Sequence, residues 1–245
     1  MDSNENQQFI NENLRELKKQ ISTRRMLGAT VRKNFFMRVF RWLFYYCLYI
    51  PVFAIFNKIK FRLKIIHKKH LKAAKKSGGV LICNHVHKLD NTFCALSAYP
   101  RKVTFTSLPS NFDMKGAGGF LKLLGVVPTP ENFVQTRVFF YALGEVLKRK
   151  KLVHFYPEGA LNEYDTAIRD FHNGAFFLAA TAAKPVVPMR IVYRERKNHC
   201  KKPHKKPYMS LHIGQPLYPQ TDVSVTEAAA DLKNRAKQAV EELHG

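Results

Sequence analysis

Asn84-His85-Val86-His87-Lys88-Leu89-Asp90 sets a histidine and an aspartate five positions apart, directly after the apolar run Val80-Leu81-Ile82-Cys83. A histidine lifted off a strand end, with a carboxylate about one helical turn further on, is the minimal equipment for deprotonating a hydroxyl. The imidazole takes a proton near neutral pH, while the carboxylate holds the other ring nitrogen and favours the imidazolium that forms. Such a base with its orienter needs no nucleophile of its own. The same residue types also serve as helix caps and surface groups. His87 lies three residues before Asp90 and competes for the same carboxylate.

A second block, Lys151-Leu152-Val153-His154-Phe155-Tyr156-Pro157-Glu158-Gly159, is again an apolar strand that runs into a turn. Proline fixes φ and glycine permits a positive one, so Glu158 is presented at a strand end, where ligands of open α/β sheets collect. Read alone, the block also fits an ordinary strand-terminating turn with an exposed glutamate.

The order NHxxxxD, a glycine-bearing apolar segment, [FY]PEG and a PVVP strand resembles the phospholipid/glycerol acyltransferase family, of the 1-acyl-sn-glycerol-3-phosphate (lysophosphatidic acid) acyltransferase type. The resemblance covers residues 78–216, with Asn84, His85 and Asp90 in the first motif and Tyr156-Pro157-Glu158-Gly159 in the third. Lys184-Pro185-Val186-Val187-Pro188, preceded by Phe171-His172-Asn173-Gly174, is similar to the fourth. The resemblance implies that His85 removes a proton from a glycerol hydroxyl, that Asp90 orients it, and that the oxygen attacks an acyl thioester directly. It implies a substrate-binding role for Asn84, Glu158, Gly159, Gly118 and Gly125. It implies no cofactor beyond the donor, acyl-CoA or acyl carrier protein, and a lysophospholipid acceptor.

Two departures weaken the acceptor end of this reading. After Gly125 the chain reads Val126-Val127-Pro128-Thr129-Pro130-Glu131, with an acidic residue where the family carries a phosphate-gripping arginine; after Gly159 it reads Ala160-Leu161-Asn162 rather than Thr-Arg. Either Lys115, Lys122, Arg137 or Arg169 substitutes, or the acceptor is another lysolipid or polar-lipid hydroxyl. Lysine is a point charge and cannot copy a planar guanidinium fork. Arg137 and Arg169 also fit as solvated helix residues.

The elements that would carry these residues alternate. Val80–Cys83, Val103–Ser107, Leu152–Tyr156, Val186–Tyr193 and Met209–Ile213 read as strands, with helical stretches near 91–98, 116–124, 133–149 and 171–182. The fold class expected is α/β, a mixed sheet covered by helices, with a membrane-associated helical segment ahead of it. Ser224-Val225-Thr226-Glu227 opens a last helix to about Leu243 with a capping box. Gly116-Ala117-Gly118-Gly119-Phe120 lacks the Gly-Lys-Ser/Thr ending of a nucleotide loop and reads as close backbone packing.

The net charge of +23 over 245 residues calls for an anionic partner. The run Val39 to Ala54-Ile55-Phe56 is rich in aromatics and nearly as long as the ~20 residues that span a bilayer. Cations follow at Lys58, Lys60, Arg62, Lys64, Lys68, Lys69, Lys72, Lys75 and Lys76. Arg41 inside the run, Pro51, and cations on both sides (Arg32, Lys33 and Arg38 before it) favour two helices dipping into one leaflet over a single span or a buried helix pair. An anionic membrane surface is therefore the expected partner, and no nucleic acid is expected, because aromatics and cations are segregated rather than interleaved. A catalytically silent binding protein for lipid or nucleic acid is the alternative from another class.

Ile10, Leu14, Leu17 and Ile21 repeat at helical spacing in a polar, acidic N-terminus that carries no secretory signal. Cys47, Cys83, Cys94 and Cys200 show no metal-ligand spacing and fit a reduced, intracellular protein on the cytoplasmic face of the cell membrane. The divisions expected are 1–35 (amphipathic helix), 36–76 (aromatic and basic membrane segment), 77–216 (acyltransferase domain) and 217–245 (last helix). The basic segment Lys201-Lys202-Pro203-His204-Lys205-Lys206 is a solvated loop or a dock for an acidic carrier protein.

Overall fold

The run after Ser77 forms strand β2 (Gly79–Cys83), and all of its residues are buried, as a parallel strand covered on both faces requires. The computed structural model describes residues 35–165, 167–195 and 207–243. The described residues fall into two compact units: those within 43–105 and from 140 on, and those within 35–42 and 106–139. The strands are β1 (Lys64–Ile66), β2, β3 (Val103–Ser107), β4 (Val127–Pro128), β5 (Leu152–Phe155), β6 (Val186–Arg194) and β7 (Tyr208–Ile213).

In the larger unit the order is β1-β7-β6-β2-β5-β3. Neighbours run parallel except β6 and β7, which pair antiparallel from Met189 opposite Ile213 to Arg194 opposite Tyr208. The sheet is therefore mixed, as the alternation of elements predicts. Helices α3 (Asp90–Ala98), α7 (Gly174–Thr181) and α8 (Val225–Glu242), with the part of α6 (Phe133–Lys148) from Phe140 on, answer to the expected stretches near 91–98, 171–182 and 133–149 and to the last helix, and α2 (Lys72–Ser77) adds one short piece. Leu81, Ile82, Leu143, Leu147, Leu152, Met189, Ile191 and Met209 are wholly buried and make the core. Helix α8 starts at the expected capping box: Ser224 Oγ accepts from the Glu227 amide at 3.3 Å, and the Ser224 amide donates to Glu227 Oε2 at 3.0 Å.

In the smaller unit, Thr106 and Ser107 at the end of β3 pair in parallel with Val127 and Pro128. Helix α4 (Ser110–Asp113) then packs closely on α5 (Ala117–Leu124). Gly118 makes that approach possible, because a Cβ there would lie 1.9 Å from the Phe112 carbonyl oxygen. Gly125 ends α5 as its left-handed cap, its amide donating to the Leu121 and Lys122 carbonyls.

The aromatic run forms one continuous helix, α1 (Phe35–Phe61), where two were expected. Residues Phe44–Tyr49 take a π-helical turn, and Pro51 falls in the first turn of the α-helical stretch that follows. The wider turn shifts the hydrogen-bond ladder by one residue, so the proline nitrogen sits where a missing N–H is tolerated. The expected N-terminal helix, Arg32, Lys33, Cys200 and the segment Lys201–Lys206 lie outside the described residues.

Candidate active site

β2 ends at Cys83, and the chain turns through residues 84–89 before α3 begins at Asp90. The turn is fastened at both ends. The Asn84 side chain is buried and reaches across to β6, where Oδ1 accepts the Ile191 amide at 2.7 Å and Nδ2 donates to the Ile191 carbonyl at 3.1 Å. Where the resemblance implied substrate contact, this amide is engaged in locking the strand end. Asp90 is fully buried in the first turn of α3, where a carboxylate suits the helix dipole. Its Oδ2 accepts the backbone amides of Val86 at 2.8 Å and His87 at 2.9 Å, and the ring Nδ1 of His85 at 3.1 Å.

That last contact fixes the chemistry of the histidine. A carboxylate only accepts, so Nδ1 carries the proton and Nε2 presents its lone pair. The His85 side chain is 22% exposed against none for Asp90, so the base edge is reachable while its orienter is sealed. His87 meets that carboxylate through its backbone amide; its ring Nδ1 accepts the Leu89 amide at 3.1 Å, and the ring packs edge-on to Phe61 at 5.0 Å.

The second block closes over the first. β5 leads into Tyr156, whose ring lies parallel to the His85 imidazole with centroids 3.8 Å apart and planes 12° apart. Its hydroxyl is buried and, among the described residues, has no hydrogen-bond partner. Burial holds that phenol far above its ordinary pKa, so it stays neutral. The sequence contains Tyr156 in a motif but gives no signal for this contact, since stacking joins the turns that follow two strands far apart in sequence.

Glu158 is buried, and its Oε2 accepts the His85 backbone amide at 3.3 Å and Arg169 Nη2 at 2.7 Å. Arg169 also donates to the Ala160 carbonyl. Thus Arg169, expected as a replacement for the missing cations, comes to the Pro-Glu-Gly turn and is anchored there by an ion pair. Gly159 has φ +76°, and a Cβ on it would lie 2.8 Å from the His172 ring, so the turn needs glycine on both counts. Loop residues beyond it also support the histidine turn: the Asn162 amide donates to the His85 carbonyl at 3.0 Å, the Tyr164 amide to the Val86 carbonyl at 3.0 Å, and Tyr193 Oη to that same carbonyl at 2.8 Å. No motif marks Asn162, Tyr164 or Tyr193.

The larger unit therefore brings together Asn84, His85, Asp90, Glu158, Gly159 and Arg169. Gly118, Gly125 and Arg137 belong to the smaller unit. Arg137 there lies over the Phe133 ring at 5.8 Å. Chemically the larger unit offers an imidazole with Nδ1 held by a buried carboxylate and a guanidinium tied nearby, which equips it to take a proton from a hydroxyl beside an anionic group.

The family model described as Acyltransferase matches residues 62–192. No curated protein matches the chain in sequence. Among solved structures, the 1-acyl-sn-glycerophosphate (LPA) acyltransferase PlsC from Thermotoga maritima is similar, with a TM-score of 0.56 and 16% sequence identity over 96% of this chain and 97% of that one. At that identity the likeness is one of fold.

Proposed function

This chain belongs to the acyltransferase family, and from that premise we propose that it is a membrane-associated enzyme carrying a fatty acyl group from acyl-CoA or acyl carrier protein to the free hydroxyl of lysophosphatidic acid, giving phosphatidic acid. The observation that carries the reading is the 3.1 Å contact between His85 Nδ1 and Asp90 Oδ2. Nε2 takes the hydroxyl proton as the oxygen attacks the thioester carbonyl. Asp90 stabilises the imidazolium meanwhile, and the thiolate that leaves recovers that proton. No acyl-enzyme forms.

Glu158 and Gly159 border the acceptor. Arg169 holds its phosphate through guanidinium nitrogens not engaged by Glu158, in place of the arginines missing after Gly125 and Gly159. Gly118, Gly125 and Arg137 remain candidates for the acyl or acceptor path. The guanidinium tied at the Pro-Glu-Gly turn supports an acceptor that carries a phosphate.

Membrane association is supported by α1. Tyr45, Tyr49, Ile50, Asn57 and Phe61 form its buried seam, while Phe35, Phe36, Phe40, Trp42, Leu48, Val52, Ile55 and Ile59 remain exposed. Lys58, Lys60, Arg62, Lys64, Lys68, Lys69 and Lys72 are exposed at and just beyond its C-terminal end. An apolar face beside a basic cluster suits an anionic leaflet, with the helix lying in it on the cytoplasmic face.

The test is acyl transfer by the purified protein and its His85→Ala variant, with both donor types and lysolipid acceptors with and without a phosphomonoester. Product from lysophosphatidic acid that disappears in the variant is expected. Product only from an acceptor lacking the phosphomonoester would keep the chemistry and reject the acceptor; no product with any pair would favour a silent lipid-binding protein.

A further inference from the structure

We infer that Tyr156 is a positioning residue for the proton transfer: its ring fixes the plane of the His85 imidazole and stabilises the imidazolium formed during acyl transfer. The inference rests on reading His85 as the general base. Two neutral aromatic rings favour offset or edge-to-face packing. Here the centroids are only 3.8 Å apart with planes 12° from parallel. A face-on approach this close suits a ring that becomes cationic, because the electron-rich face of a phenol attracts positive charge.

The hydroxyl does not explain the tyrosine's place, since it is buried without a hydrogen-bond partner among the described residues. The ring itself does. One hydrogen bond from Nδ1 to Asp90 leaves the imidazole free to tilt about that contact, and a flat neighbour removes this freedom. Nε2 is then aimed in one direction.

The other groups around the imidazole leave this face to Tyr156. Asp90 meets the Nδ1 edge. Glu158 reaches the His85 backbone amide rather than the ring, and its charge is paired with Arg169. His154 packs edge-on against Tyr156, at 4.5 Å and 72°. His87 turns its Nδ1 to the Leu89 amide, and Lys88 pairs with Glu163 at 3.6 Å. Tyr164 and Tyr193 act on the backbone through the Val86 carbonyl.

The experiment compares the full-length wild type with Tyr156→Phe, Tyr156→Leu and Tyr156→Met, the methionine filling the site should leucine fail to fold. A ring that favours the imidazolium makes the base harder to deprotonate, so its loss moves the acid limb of the kcat/KM profile to lower pH, by about 0.5–1 unit. Loss of the fixed plane lowers kcat about tenfold or more with donor KM little changed. Tyr156→Phe keeps the wild-type profile.

A spectroscopic signature is read separately from activity. The His85 ring-proton resonances, identified by their absence in His85→Gln, lie upfield through the ring current in wild type and Tyr156→Phe, and return downfield in Tyr156→Met. Wild-type rate and profile in Tyr156→Met, or their loss in Tyr156→Phe, would overturn the inference, as would His85 resonances without an upfield shift. An active His85→Ala protein would overturn the base assignment and this inference with it, while the ring-current shift would still report that the rings are stacked.

Discussion

Oδ2 of Asp90 is the most heavily used atom of the site, taking two backbone amides and the His85 ring. One carboxylate therefore does two things: it folds the turn and it selects the tautomer. Asp90→Asn keeps an oxygen for the turn but removes the charge that favours the imidazolium, so transfer falls ~10²–10⁴-fold while the fold survives. Steady-state kinetics beside a melting curve check this; an equal loss of rate and of folded protein would mean that only the turn was damaged. His87→Ala removes an acceptor for one amide and a ring packed on Phe61, and it retains transfer at a rate within about tenfold. A dead His87→Ala protein with active His85→Ala would reverse the assignment. The sequence names both histidines but cannot choose between them, because spacing to Asp90 does not say which ring turns toward it. That choice is made by the path of residues 84–89.

The helix that carries the apolar face is tied directly to the catalytic turn. Asn57 in the buried seam of α1 donates from Nδ2 to Thr92 Oγ1 at 2.8 Å, and Thr92 Oγ1 donates to the Leu89 carbonyl at 2.6 Å, one residue before Asp90. Phe61 packs edge-on to Phe93 at 5.5 Å in the same contact. Asn57→Ala removes the buried donor to Thr92 Oγ1 while Thr92 keeps its bond to the Leu89 carbonyl, which costs about 0.5–1.5 kcal/mol, and it slows transfer while leaving vesicle binding unchanged. Thermal melting, kinetics and vesicle co-sedimentation separate the three effects; unchanged kinetics would mean that α1 is only an anchor. Local signals were legible at this scale. The capping box at Ser224 was readable because its partners are three residues apart, and β2 because a continuous apolar run demands burial. β1 was not, since Lys64–Ile66 is three residues long and becomes a strand only by pairing beside Ser210, Leu211 and His212. Pro51 misled for a related reason: a proline usually breaks a helix, and the π turn that admits it leaves no mark in composition.

The whole chain carries +23, and that charge has to act together with an apolar face of limited size. Ile55 and Ile59 are 61% and 76% exposed, and each contributes roughly 1.5–3 kcal/mol when taken out of water. Cations near an anionic leaflet add about 1 kcal/mol each, and salt weakens them as the Debye length falls from about 10 Å at 0.1 M to about 3 Å at 1 M. The two contributions respond to different variables. Binding to vesicles containing anionic lipid should therefore drop by at least about tenfold between 0.1 M and 1 M salt without vanishing. Binding to neutral vesicles should be weaker and nearly salt-independent. Ile55→Asp with Ile59→Asp should weaken both, whereas Lys68→Gln, Lys69→Gln and Lys72→Gln together should weaken only the first. Co-sedimentation at fixed lipid concentration reads all four conditions. Equal, salt-insensitive binding to both vesicle types would mean that the charge faces something other than lipid, and an acidic carrier protein delivering the acyl group would become the partner to test.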